Sequence, residues 1–244
     1  MTARTTPLIE VAAARVEIDG RVLLDDISLV TDATRIGVVG RNGSGKTTFA
    51  RVLAGLQPVD AGRVRLAGVE VATDRRGALG AVGILFQNPD HQIIFPTVAE
   101  ELGFGLRQMG LSRKEVARLV EAILRQFDRA HWRDAPIEQM SQGQRQLVCL
   151  MAILAMEPRV IVLDEPFAGL DIPTAMHLAR VLDGIDAALV HVSHDPRDLA
   201  GYELGLWLEQ GRIAREGPAG PVLRAFEAEM KRLGARDDLA DLAG

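Results

Sequence analysis

Eight residues, Gly40-Arg41-Asn42-Gly43-Ser44-Gly45-Lys46-Thr47, constrain the fold of this chain more than any others. They fit the G-x-x-x-x-G-K-[ST] pattern of a phosphate-binding loop. Arg35–Val39 before them is a short apolar run that reads as a buried strand. Phe49, Val52, Leu53 and Leu56 after them fall at helical spacing. A glycine loop between a strand and a helix turns backbone N–H groups inward around phosphate oxygens, and the new helix adds its positive end. Lys46 reaches the β- and γ-phosphates, the Thr47 hydroxyl suits Mg²⁺, and Thr48 completes the nucleotide-binding set.

The rest of the chain reads as an α/β alternation around that loop. Asp19-Gly20 marks a turn between Ala14–Ile18 and Val22–Leu24, and Ala67-Gly68 marks another within Gly62–Val71. Ala81–Phe86 reads as a strand ending at Gln87. From Val98 to Met156 the period is helical, with Ser112 and Glu115 forming a capping box. Val160–Leu163 returns to a buried strand, a helix is expected over Pro173–Leu182, and a strand over Ala187–Val192. Glu203–Glu209 and Arg212–Glu216 form a terminal hairpin, followed by a closing helix over Pro221–Leu233 and a polar tail that frays. The expected fold is a P-loop NTPase core with an N-terminal antiparallel β-subdomain and an inserted α-helical subdomain. This is a single domain of 244 residues: 8–95 and 157–216 form the ATP-binding core, 96–156 the helical subdomain, and 217–244 the C-terminal helix and tail.

Bulk properties exclude several classes. A net charge of −5 lacks the basic footprint of a nucleic-acid binder. Cys149 is the single cysteine, so no intrachain disulfide forms and a reducing compartment is expected. The N-terminus lacks a secretory apolar segment, and the longest apolar run, Leu147–Met156, is too short to cross a bilayer. The expectation is a chain soluble by itself, which leaves docking on a membrane partner open.

A phosphate loop needs acidic groups nearby. Asp164 and Glu165 directly follow a buried strand, and strand C-terminal ends gather at the ligand crevice of an open α/β sheet. Asp164 is placed to hold Mg²⁺, and Glu165 to orient or deprotonate the attacking water. His194 follows the next strand, where an imidazole donates to the γ-phosphate. Gln87 also ends a strand, and its amide binds a metal and a water together, so it senses the γ-phosphate. Ser141, with Gln142, Gly143 and Gln144, opens an apolar helix and offers a second anion site, although a simple helix cap reads the same way.

In order along the chain, Gly40–Thr47, Gln87, Ser141–Gln144, Val160–Glu165, Gly169-Leu170-Asp171 and His194 resemble the Walker A loop, Q-loop, signature, Walker B, D-loop and H-switch of ABC transporter ATPases. The resemblance covers about Leu8 to Glu216. It implies a head-to-tail dimer, a homodimer being favoured, in which each ATP lies between one subunit's Lys46 loop and the other's Ser141–Gln144. Phe86–Gln92 and Val98–Leu106 look like the energy-coupling-factor branch. That branch imports vitamins or Ni²⁺/Co²⁺ through a transmembrane coupling protein and a substrate-binding membrane protein, with the ATPases at the cytoplasmic face of the membrane. The Ser141-Gln142-Gly143-Gln144 form and the absent Gly-Glu turn before Ile36 look most like its biotin-transporter members, with cobalt or nickel next. Asn88–Gly105 is expected to form the groove for helices of the coupling protein, with Ile93, Ile94 and Phe95 as contacts or as core.

Two positions depart from the family pattern. Ile18 stands where an aromatic residue stacks on adenine, which weakens the preference for adenine. Gln142 replaces the first glycine of the signature, and would be strained there if the site needs a positive φ. A soluble ABC ATPase without a transport role is the alternative reading, and a nucleotide-binding regulator without turnover is a third. No Asn-Lys-x-Asp guanine motif occurs.

Overall fold

The computed structural model describes residues 6–235; the polar tail past Ala235 lies outside them. Asp19 and Gly20, with φ of 51° and 77°, make the tight left-handed turn that suits a two-residue hairpin. It joins β1 (Ile9–Ile18) to β2 (Arg21–Thr31), so that Ile18 pairs with Arg21. β3 (Arg35–Val39) runs into the phosphate loop and α1 (Lys46–Leu53). Ala67 and Gly68 repeat the left-handed turn between β4 (Ala61–Leu66) and β5 (Val69–Glu70). These strands form a four-stranded antiparallel sheet in the order β2-β1-β4-β5.

Next comes α2 (Arg75–Ala81), capped by the Asp74 carboxylate on the Gly77 N–H, and then β6 (Val82–Leu85). The strand is shorter than the Ala81–Phe86 expected, because Ala81 closes the helix. α2 carries Gly77 and Gly80 and has too few apolar residues for a helical period to show.

Helices α3 (Val98–Gln108), α4 (Arg113–Gln126) and α5 (Gln142–Leu154) follow. The capping box at α4 is formed: Ser112 Oγ accepts from Glu115 N, and the Glu115 carboxylate accepts from Ser112 N at 2.8 Å. Val98, Leu102, Val120, Ile123 and Val148 give these helices a core of their own.

The chain then returns to the main sheet through β7 (Val160–Asp164), α6 (Ile172–Asp183), β8 (Ala188–Val192), β9 (Leu204–Glu209) and β10 (Arg212–Pro218), and closes with α7 (Ala219–Gly234). The six-stranded order is β10-β9-β3-β8-β7-β6, parallel throughout except for β10. β7 and β8 are buried at every residue, as parallel strands covered on both faces are. The largest core lies where α1 joins the two sheets, around Phe49, Leu53, Ile27, Leu66 and Val162. Truncating Phe49 there to Ala would cost about 3–5 kcal/mol. The architecture is the mixed α/β P-loop fold with an antiparallel sheet and a helical subdomain.

Candidate nucleotide site

Four neighbouring parallel strands, β3, β8, β7 and β6, end on the same edge of the sheet. The first delivers Gly40, the second His194, the third Asp164 and Glu165, and the fourth Gln87. A cavity of about 470 Å³ opens above that edge, lined by Arg21, Leu23, Asn42, Gly43, Gly45, Lys46, Thr47, Thr48, Gln87, Glu165 and His194.

The loop's backbone requires each of its three glycines, Gly43 holding φ at 80°. Gly45 holds φ at 101°, and a Cβ there would sit 2.8 Å from Leu23 O. A Cβ on Gly40 would meet Leu208 O at 2.4 Å. Lys46 is buried, and its ammonium bridges Gly40 O at 2.7 Å and Arg41 O at 3.0 Å. Burial lowers its pKa, against the pull of Glu165, Asp164 and Glu209, so the cation is poorly solvated and suited to an anion. Ser44 is buried beneath the loop, and Arg41 and Ser44 line an adjoining recess.

Thr47 Oγ1 lies 3.4 Å from Asp164 Oδ1. Asp164 is buried, and that burial raises its pKa, with the Thr47 hydroxyl opposing. A hydroxyl, a carboxylate and the Gln87 amide make an all-oxygen donor set, which fits Mg²⁺ completed by phosphates and water. Among the described residues no group of three or more His, Cys, Asp or Glu could hold a metal by itself.

Glu165 takes φ of 52°, in the left-handed region, at a cost of roughly 1–2 kcal/mol for a residue with a Cβ. The turn is held by Glu165 N donating to Val192 O at 3.0 Å. His194 Nδ1 lies 2.7 Å from Glu165 Oε2. With the carboxylate ionised, Nδ1 carries the hydrogen and Nε2 remains for another ligand.

Ser141, Gln142, Gly143 and Gln144 do not line this cavity. Ser141 caps α5, accepting from Gln144 N, while the Gln144 side chain accepts from Ser141 N at 2.8 Å. Gln142 is the first residue of α5 with a right-handed backbone, so the strain considered for it does not arise. Its amide instead lies over the Phe167–Leu170 loop, donating to Ala168 O at 3.4 Å. Ile18 is 42% exposed and is not among the residues lining the cavity, to which β2 contributes Arg21 and Leu23.

Residues 24–168 match the model of the ABC transporter family. The chain belongs to that family. It is 49% identical over 225 residues to the biotin transport ATP-binding protein BioM of Rhodobacter capsulatus, covering 92% of this chain and 96% of the relative. The BioM protein of Rhizobium etli is 36% identical over 218 residues, covering 89% and 97%. Among solved structures, cbiO1 of Clostridium perfringens, described as part of the ABC transporter complex cbiONQ, has a TM-score of 0.75 at 26% identity and covers 93% of this chain and 94% of that one.

This ABC protein is thus the ATP-binding subunit of a transport system, an ATPase. Sequence reasoning missed three of its features. Arg21 and Leu23 in the cavity lining were hidden because only the fold brings β2 to the loop. The buried Gln146 amide donates to Phe86 O at 3.0 Å, tying α5 to the residue before Gln87. Arg145 Nε lies 3.2 Å from Asp90 Oδ1, a second tie in the same direction. A Gln or Arg within an apolar helix gives no sequence signal of such a partner.

Proposed function

We propose that this protein powers import of biotin through an energy-coupling-factor transporter, by hydrolysing ATP with Mg²⁺. The observation that carries the catalytic part is the convergence of Lys46, Thr47, Asp164, Glu165, His194 and Gln87 on one edge of the sheet. Lys46 and the loop amides bind the phosphates. Thr47, Asp164 and Gln87 would hold Mg²⁺, which would supply positive charge to the phosphates. Glu165 orients or deprotonates the water, and His194, held by Glu165 through Nδ1, addresses the γ-phosphate. Positioning and electrostatics supply the catalysis.

Ser141–Gln144 lies outside the cavity of its own chain. Its helix start instead meets the nucleotide of a second subunit, a second copy of this chain being favoured. ATP then joins the subunits and hydrolysis releases them.

Among the described residues no helix is long and apolar enough to cross a membrane. In this reading attachment is peripheral, at the cytoplasmic face, and a groove of about 740 Å³ lined by Asp90, Ile93, Ile94, Phe95, Pro96, Pro136 and Arg145 receives the coupling protein. Ile93 and Phe95 are partly buried, with Phe95 against Phe104 and Arg107, while Ile94 is 67% exposed. That exposure supports Ile94 as the contact for the coupling protein, with its two neighbours shaping the groove.

The similarity to two biotin transport proteins supports biotin as the cargo. Uptake of labelled biotin by membranes that contain this subunit, its coupling protein and its substrate-binding protein tests the reading. ATP-dependent uptake is expected; uptake of Co²⁺ or Ni²⁺ in its place, or no membrane protein co-purifying, would refute it.

A further inference from the structure

His194 is exposed, and among the described residues its side chain has one hydrogen-bond partner, Glu165. Something else must fix where that imidazole stands. The residue before it, Ser193, is fully buried, and its N–H donates to Val38 O at 3.0 Å on the strand that feeds the phosphate loop. Ser193 Oγ accepts from Asp195 N at 3.0 Å and donates to Asp198 Oδ2 at 2.7 Å. Leu199, next to Asp198, is fully buried against Gly37 of the same strand.

The hydroxyl has one hydrogen. Because Oγ already accepts the Asp195 N–H, that hydrogen must go to an acceptor, and Asp198 is the acceptor present. The result is a directed chain from Asp195 N–H to the Ser193 hydroxyl to the Asp198 carboxylate, with its last bond charge-assisted and short. Bonds in such a chain polarise one another in a dry surrounding. The chain spans His194 on both sides, fixing the backbone at 193 and 195 and with it the direction of the His194 side chain.

We propose that Asp198 is a positioning residue for hydrolysis. It acts through the Ser193 hydroxyl to hold His194 at Glu165. This rests on the roles given above to Glu165 and His194. Asp198 does not line the nucleotide cavity, so its removal lowers kcat and leaves nucleotide binding intact.

The test is a double-mutant cycle on the purified subunit, with ATP hydrolysis followed at saturating ATP and, for slow variants, in single turnover. Asp198→Ala is expected to lower kcat about tenfold, in line with the cost of misplacing a catalytic group, with KM changed less than about twofold. Asp198→Asn keeps an acceptor oxygen for Ser193 and is expected within about threefold of the parent. In a His194→Ala background, Asp198→Ala is expected to cost less than about a further twofold. Ser193→Ala breaks the same bond without touching the charge. It should reproduce the cycle and stands in for Asp198→Ala if that variant does not fold. An unchanged kcat in both Asp198→Ala and Ser193→Ala overturns the proposal. So does an equal loss with and without His194, which would mark a merely structural staple. If His194→Ala itself turned over at the parent rate, the role of His194 would fall and the assignment of Asp198 with it. A normal Asp198→Ala beside a crippled His194→Ala removes Asp198 alone.

Discussion

Glu165 and His194 follow adjacent strands and meet side chain to side chain, Nδ1 to Oε2 at 2.7 Å. Glu165→Gln keeps the shape and offers a carbonyl oxygen to Nδ1–H, but removes the basic oxygen. We expect ATP affinity within about threefold of the parent and kcat lower by about 10²–10⁴, the usual worth of a general base. Phosphate release and nucleotide titration on the same preparation check this. A variant that hydrolyses ATP at the parent rate removes Glu165 from its role.

Asp164 sets activity against stability. Its pKa is raised chiefly by burial, and the charge of Glu165 adds to the shift. A carboxyl that holds its proton more tightly when folded is destabilising once ionised, so its penalty appears as pH rises through the raised folded value and persists at neutral pH. Asp164→Asn should therefore raise the Tm of the nucleotide-free protein, by about 2–4 °C if the gain is about 1 kcal/mol. The same change should abolish Mg²⁺-dependent turnover. Thermal melts and ATPase assays read the two effects separately. A lower Tm would show that the Thr47 hydrogen bond outweighs the burial cost.

How much of this was legible in the sequence depends on the range of the forces involved. Phosphate loop, capping boxes and left-handed turns are local, and Gly45, Ser112 and Asp19 announced them. Buried parallel strands showed as apolar runs, so Asp164 and His194 could be placed at strand ends. Short α2 did not show, because seven residues with two glycines carry no period. The ties from Gln146 to Phe86 and from Ser193 to Asp198 stayed hidden for different reasons. The first joins residues sixty apart through a helix that looked merely apolar, and the second joins residues whose types are common in any turn. Arg21 and Leu23 stayed hidden as well, because β2 contributes to the cavity only once the chain has folded.

The docking role proposed for Ile94 predicts that transport can be lost while hydrolysis is kept. Ile94 is 67% exposed in the groove, whereas the cavity at the phosphate loop is lined by other residues. Ile94→Glu places an unpaired charge where an apolar helix would dock, and such a charge resists burial. We expect hydrolysis by the isolated subunit within about twofold of the parent, and uptake by the assembled transporter reduced at least about tenfold, since each 1.4 kcal/mol of lost docking is a factor of ten. Normal uptake would move the docking surface elsewhere.

His191 makes acid stability testable. It is buried on β8, with Nδ1 3.0 Å from the Tyr202 hydroxyl and its ring edge-on to Phe167, and burial pushes its pKa down to about 3. In the unfolded chain a histidine titrates near 6.5. The folded state therefore binds fewer protons than the unfolded state between those values, and stability present above pH 6.5 is lost as pH falls. For one such group the slope approaches about 1.4 kcal/mol per pH unit. His191→Phe keeps a ring beside Phe167 and removes the titration, though it leaves the Tyr202 hydroxyl without its partner and so lowers stability at pH 7 by about 1 kcal/mol. Urea unfolding at pH 7, 6 and 5 should show the parent losing stability faster than the variant, so that the gap closes toward pH 5. Parallel curves would mean that His191 already takes up its proton in the folded state, and the buried neutral imidazole would have to be abandoned.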